Sequence, residues 1–152
     1  MDFQAEPART HDLAGALELL RETGLPETGV AERFALYRVV RDMGRVVGFG
    51  GLEIHGENGL LRSLAVATAY RGQGIAKLLL DAILDLAVQN SLSNVYLLTT
   101  TAKAYFERHG FDEVARDSAP EGIRDSWEFR TGCPAGSALL MRAVSSGASS
   151  TP

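Results

Sequence analysis

The sequence predicts an α+β sandwich: a mixed, mostly antiparallel central sheet flanked by helices. Three observations lead there. Strand-like runs at residues 34–40, 45–54 and 60–66 follow one another across short glycine-containing turns, the pattern of an antiparallel meander. The apolar period then changes to that of a helix between Gly74 and Gln89. After it, short apolar runs and helical segments alternate, as crossover connections require.

Each element has a local reason. Residues 2–7 alternate weakly and read as a first strand. Thr10 is placed to cap a helix over 11–23, whose apolar stripe is Leu13, Ala16, Leu17 and Leu20. Gly24 and Pro26 stop it. A short helical turn is expected at 30–33. Met43-Gly44 joins the first two strands of the meander, and Asn58-Gly59 is a type I′ hairpin signal before the third. Ile75, Leu78, Leu79, Ala82, Ile83, Leu86 and Ala87 mark one face of the long helix. Residues 95–98 form a short strand buried on both faces. Thr101 opens a helix to about residue 108, which Gly110 closes, and 111–116 and 138–144 are late strands. One domain is expected over 1–144. Residues 145–152, Ser-rich and without periodicity, are expected to be a disordered tail.

Composition excludes several classes. The 15 basic and 19 acidic residues leave a net charge of −4, which argues against a nucleic-acid binder. The single cysteine, Cys133, excludes an intramolecular disulfide and a cysteine-rich metal site. No apolar run is long enough to span a membrane, and the first residues carry acids rather than a secretory leader. The cytoplasm is the expected compartment, and no metal is expected. Glycine is in excess, 16 residues where average usage predicts roughly 11. Gly44, Gly48, Gly50, Gly51, Gly56, Gly59, Gly72 and Gly74 crowd one stretch, so something there needs bare backbone.

The most informative stretch is Leu64-Ala65-Val66 followed by Tyr70-Arg71-Gly72-Gln73-Gly74-Ile75-Ala76-Lys77. A strand ends, a glycine turn follows, and a long helix begins. The first N–H groups of a helix have no partner within it, and the helix dipole adds partial positive charge there. Gly72 and Gly74 let those groups converge, and Arg71 and Lys77 add charge. This is an anion site suited to a pyrophosphate. A strand-to-helix turn that simply favours glycine is the competing explanation. Neither a dinucleotide-binding G-x-G-x-x-G nor a P-loop is present.

Arg71-Gly72-Gln73-Gly74-Ile75-Ala76 resembles the R/Q-x-x-G-x-G/A signature of the GNAT superfamily of N-acetyltransferases. Ala102-x-x-x-Phe106-Glu107-Arg108-x-Gly110-Phe111 is similar to its second motif, A-x-x-x-Y-E-K-x-G-F. The resemblance covers residues 2–116 and the last strand. It implies acetyl-CoA as cofactor and a sheet splayed at the cofactor cleft. The backbone N–H groups of Arg71, Gly72, Gln73, Gly74, Ile75 and Ala76 would hold the pyrophosphate. The backbone of Leu64, Ala65 and Val66 would line the pantetheine arm, and the Leu64 N–H would polarise the thioester carbonyl. Gly48, Gly50 and Gly51 would permit the bend and close approach of such a sheet.

Direct transfer needs a base for the amine and, in some members, an acid for the thiolate. The family's tyrosine acid is replaced here by Phe106. Tyr105 is the acid candidate, or else a packing residue. Glu53, with His55 and Glu57 nearby, is the base candidate, or else a solvated strand-end charge. Thr99 takes the place of a family asparagine that touches the CoA arm; capping of the next helix by Thr100 or Thr101 is as good a reading. Arg62 and Ser63 precede the thioester position. Arg62 would suit an anionic substrate, or would pair with Glu53 on the adjacent strand.

From Thr99 onward, T-T-T-A, Y-F-x-R-x-G-F, the P-x-x-I loop, E-F and C-P-x-x-S-A are similar to a small GNAT branch associated with bacterial arsenic-resistance operons. That implies N-acetylation of a small amine, with Trp127 and Cys133 as substrate contacts and Cys133 as a soft ligand for arsenic. A small buried residue before a proline turn is the plainer account of Cys133. The expected partners are a small-molecule amine and, at most, a second copy of the chain. A peptide N-acetyltransferase and a catalytically silent acetyl-CoA-binding module are the rivals.

Overall fold

The computed structural model describes residues 2–132 and 136–144. The strands are β1 (Ala5–Pro7), β2 (Tyr37–Asp42), β3 (Arg45–His55), β4 (Asn58–Val66), β5 (Asn94–Thr99), β6 (Asp112–Val114) and β7 (Ala138–Ala143). The helices are α1 (Leu13–Thr23), α2 (Ile75–Gln89), α3 (Lys103–Glu107) and α4 (Glu121–Arg124), with 3-10 turns between several elements. The strands are hydrogen-bonded in the order β1-β2-β3-β4-β5-β7-β6. The sheet is mixed, mostly antiparallel and flanked by helices, the α+β class that the sequence predicts.

Within the span expected as one domain, residues cluster into two compact units. The first comprises Met1–Glu53 and Leu61–Leu86, the second Ile54–Leu60 and the chain from Ala87 onward.

In the first unit β1 and β3 both run antiparallel to β2, with Ala5 opposite Val40 and Tyr37 opposite Gly51. Ala16, Leu19 and Leu20 of α1 are buried with Val39, Val47, Phe49, Ile75 and Leu79. Each such side chain contributes about 1.5–3 kcal/mol on leaving water. Helix α1 ends as Gly24 foretells. Gly24 is left-handed (φ +75°), its N–H donates to the Arg21 carbonyl (3.2 Å), and the Leu25 N–H donates to that of Leu20 (2.9 Å), a Schellman motif.

Three of the boundaries that differ from expectation have a clear physical reason. Thr10 is not the cap of α1: Thr10–Asp12 is a 3-10 turn, and the Asp12 carboxylate accepts the Arg9 N–H at 2.8 Å. Phe34 does not open β2. It lies in a 3-10 turn, Ala31–Leu36, with its ring against Phe49 (5.8 Å) and Tyr37 (6.1 Å), so the apolar run reflects clustering rather than alternation. The β3–β4 hairpin turns at Gly56 (φ +65°), not at Asn58-Gly59. Gly59 is needed within β4, where Asn58 to Leu60 pair in parallel with Asn94 to Tyr96.

The glycines of β3 serve close packing. A methyl group at Gly48 would lie 2.6 Å from Ile75 Cγ2 and 3.0 Å from Leu79 Cδ1, and one at Gly50 would lie 3.0 Å from Ile83 Cδ1. Helix α2 rests directly on bare strand backbone. Gly51 points to the opposite face and lies under the Tyr37 ring.

In the second unit β7 runs antiparallel to both β5 and β6. Val95, Tyr96, Leu97 and Leu98 are all buried, as a strand covered on both faces requires. Leu60, Tyr96, Leu98, Ala119, Ile123 and Leu139 form a core there. Helix α3 and strand β6 are both shorter than the sequence suggests. The expected tail, 145–152, lies outside the described residues.

Candidate active site

The glycine turn is held at both ends and bare in the middle. On the strand side the Ala67 N–H donates to the Val47 carbonyl at 2.9 Å, and a 3-10 turn, Thr68–Tyr70, follows. Residues 71–74 are exposed, and Gly72 and Gly74 are left-handed (φ +81° and +83°). An added Cβ at either would meet nothing within 4 Å, so the glycines are required by backbone conformation and open a shallow cradle. Helix α2 then starts at Ile75. The Leu78 N–H donates to the Gly74 carbonyl (3.1 Å), which leaves the N–H groups before it without helical partners. These features fit a pyrophosphate. Lys77 adds less charge than its position suggests, because its ammonium pairs with Asp81 at 2.7 Å.

Strand β4 carries a kink just before Leu64. Ser63 has φ +63° in mid-strand, a conformation that costs a non-glycine residue about 1–3 kcal/mol and concentrates at functional sites. The kink interrupts the pleat alternation just before Leu64 and Val66, which are half-buried while Ala65 is buried.

The structure decides between the alternatives for Glu53 and Arg62. The Arg62 guanidinium donates to Glu53 Oε2 at 2.6 Å, with side-chain exposures of 1 % and 5 %. It also donates to the Thr28 carbonyl (2.6 Å) and the Ser63 hydroxyl (3.4 Å). Arg62 thus makes the pairing with Glu53, the alternative to an open anion-binding guanidinium. Glu53, the base candidate, thus forms the buried cross-strand ion pair named as its alternative. Of the neighbouring candidates His55 is half-buried. Glu57 is exposed and accepts the Ser93 hydroxyl at 2.7 Å.

In the second unit Thr99 Oγ1 accepts the Ala102 N–H at 2.9 Å. This bond closes the turn before α3, whose N-cap is Ala102 with no side-chain cap, so neither Thr100 nor Thr101 caps the helix. Phe106 is buried and packs edge-on against Phe111 (5.6 Å). Tyr105 is half-buried, with its ring 4.6 Å from that of His109 and 5.9 Å from the Arg108 guanidinium. These are ring contacts to the residues three and four positions on. Trp127 is 39 % exposed. Cys133 lies outside the described residues. Among the described residues no group of three His, Cys, Asp or Glu side chains could hold a metal ion, and no helix is long and apolar enough to cross a membrane.

The site thus gathers Glu53, Arg62 and Ser63 into one bonded cluster and lays Leu64 to Ala76 along one continuous segment. Sequence reasoning missed the loop at 24–30, through which Thr28 reaches Arg62. Its signal was Gly29, left-handed (φ +84°) and with room for a Cβ only 3.2 Å from Arg62 Nη1. It also missed the bond from the Tyr70 hydroxyl to Asp42 (2.5 Å), which no motif marks.

Comparison with known proteins agrees with this geometry. The family model of the acetyltransferase (GNAT) domain matches residues 32–113, just over half of the chain. An amino-acid acetyltransferase of Mycobacterium tuberculosis is 37 % identical over 89 residues, covering 58 % of this chain and 47 % of that protein. The amino-acid acetyltransferase of Escherichia coli K12 is 25 % identical over 138 residues, covering 84 % and 31 %. The chain spans less than half the length of these curated relatives. Among solved structures, N-acetylglutamate synthase from Neisseria gonorrhoeae, complexed with coenzyme A and N-acetyl-glutamate, superposes with a TM-score of 0.82 at 21 % identity. That match covers 95 % of this chain and 35 % of the synthase. A Mycobacterium tuberculosis protein solved with CoA gives 0.77 at 24 % identity, covering 92 % and 98 %. With the glycine turn, the strand order and the family model in agreement, the chain belongs to the GNAT acetyltransferase family.

Proposed function

We propose that this chain is an acetyl-CoA-dependent N-acetyltransferase that acylates the primary amine of a small molecule. The observation that carries it is the turn at residues 71–76, with two left-handed glycines and exposed backbone at the tip of a 15-residue helix. Its N–H groups hold the pyrophosphate of the cofactor, and the β4 backbone at Leu64, Ala65 and Val66 lines the pantetheine arm. Bound acetyl-CoA supplies an activated thioester. The Leu64 N–H, aimed by the Ser63 kink, stabilises the oxyanion.

For the amine proton the base candidates are Glu53, His55 and Glu57, and a base there works through water. The departing thiolate needs no strong acid, because thiols ionise near pH 8.5. Tyr105 is accordingly a packing residue in this scheme. The small-molecule preference is supported by the amino-acid acetyltransferases among the relatives. An arsenic-bearing amine as acceptor rests on the motifs from Thr99 onward, with Cys133 as the soft ligand. Trp127, partly exposed, is a further acceptor contact. The single cysteine suits a reducing compartment such as the cytoplasm.

The buried Phe106 in the family's tyrosine slot favours a second reading, a silent CoA-binding module. Thiol release from acetyl-CoA across a panel of amines, amino acids, an amine-bearing organoarsenical and peptides separates them. Turnover with small amines supports the proposal, and turnover with peptides alone replaces its substrate class. CoA binding with no turnover on any amine leaves the silent module. Equal rates on arsenical and arsenic-free amines, in wild type and Cys133→Ser alike, remove the arsenic role.

A further inference from the structure

The glycine turn is not stiffened by its own residues. Two glycines in four exposed residues make a turn that loses much conformational entropy when it is ordered around an anion. A site built from such backbone binds well only if its neighbours hold it in advance.

The neighbours on the strand side are unusually specific. Three bonds from three separate elements converge on residues 67–70. The Val47 carbonyl of β3 accepts the Ala67 N–H at 2.9 Å. The Glu22 carboxylate of α1 accepts the Thr68 N–H at 3.1 Å. The Asp42 carboxylate, at the end of β2, accepts the Tyr70 hydroxyl at 2.5 Å. The Tyr70 ring also meets Phe3 edge-on, 6.1 Å between centroids. Tyr70 is the last residue with such an anchor before the bare turn begins. On the far side the turn runs straight into buried Ile75.

From this convergence we infer that Tyr70, through its bond to Asp42, is a positioning residue that pre-sets the cofactor turn for the pyrophosphate. The inference rests on the proposed cofactor role of that turn. A carboxylate acceptor makes this a charge-assisted bond, stronger than a neutral one. The bond to Asp42, then burial, pushes the phenol above its ordinary range, which keeps the hydroxyl in its donor form. Asp42 sits opposite Arg45 in the β2–β3 register, and the Arg45 charge acts on the phenol against the carboxylate. Glu22 anchors the chain in the same way two residues earlier, by capping the 3-10 turn.

The test compares two probes that differ in the 3′-phosphoadenosine diphosphate half, which carries the pyrophosphate. CoA is titrated by calorimetry, and pantetheine, which lacks the pyrophosphate, by NMR. Tyr70→Phe removes the hydroxyl and little else. It is expected to weaken CoA binding about fivefold, on the scale of one net hydrogen bond, and to leave pantetheine binding within about twofold of wild type. Asp42→Asn should weaken CoA in the same direction, and the double variant should bind no more weakly than Tyr70→Phe alone. If Tyr70→Phe does not fold, Asp42→Asn and Glu22→Gln carry the comparison. Unchanged CoA affinity, equal losses for both probes, or additive losses in the double variant overturn the positioning role and leave the proposed function standing. A wild-type chain that does not bind CoA overturns the proposed function, and this inference with it.

Discussion

Arg62 and Glu53 close an ion pair at 2.6 Å with both side chains almost entirely out of water, and Arg62 reaches on to the Thr28 carbonyl at the same distance. Removing one partner leaves the other charged and buried. Arg62→Ala is therefore expected to cost about 3–5 kcal/mol of stability, while Arg62→Met with Glu53→Leu recovers much of the loss. Urea unfolding of the three proteins checks this. A loss below about 1 kcal/mol for Arg62→Ala would mean that solvent reaches the pair.

Gly74→Glu tests the turn. The position is left-handed, and no atom lies within 4 Å of an added Cβ. The strain should cost only about 1–2 kcal/mol of stability, while bulk and negative charge at the helix tip abolish CoA binding. Calorimetry reads the second effect and thermal unfolding the first. Unchanged CoA affinity would move the cofactor elsewhere.

Tyr105→Phe separates packing from acid catalysis. General acids typically contribute about 10²–10⁴-fold. With a packing role, kcat on any amine that turns over should fall by less than about tenfold. A loss of about 10²-fold or more would restore Tyr105 as the acid.

Asp12 gives the fold an acid-side weakness. Hydrogen bonds from the Arg41 guanidinium hold its carboxyl below the usual carboxylate range, against the burial that pushes it up. Its folded pKa lies below its unfolded value. The stability it lends is therefore complete above the unfolded value of about 4 and drains away as pH falls through the folded one. Asp12→Asn should lower stability at pH 7 and flatten the loss on acidification. Urea midpoints between pH 7 and pH 3 measure both; parallel curves would assign the acid sensitivity to other carboxylates.

Legibility followed the reach of the interactions. The long helix, the glycine turn and the three-strand meander could be read because each is written locally, in apolar period, turn residues and motif. The Asn58-Gly59 signal was also local, and it was overridden. Gly56 offered an alternative turn, and the parallel ladder to β5 required Gly59 in the strand. What stayed hidden was tertiary. Nothing at Thr28 announces that its carbonyl will receive Arg62. Nothing at Ser63 announces a left-handed kink. The ion pair of Arg62 could be named as an alternative, since cross-strand neighbours of opposite charge attract, but only burial decided it.

Two glycines separate contact from conformation. A methyl at Gly51 would lie inside the Tyr37 ring, whereas one at Gly56 would meet nothing and only strain the turn. Gly51→Ala should displace Tyr37 and cost about 1–3 kcal/mol, with a changed near-ultraviolet signature. Gly56→Ala should cost about 1–2 kcal/mol and leave that signature intact. Identical spectra for the two variants would show that the ring gives way freely.

Gly48 contributes no chemistry of its own. Yet the first side chain that a methyl there would strike is Ile75, the residue that directly follows the turn. The gap between sheet and helix is measured out by a missing side chain, and such a ruler reads in one direction. A larger residue there presses first on the two side chains that seat the front of α2, so the helix that follows the turn is fitted to the sheet by an absence.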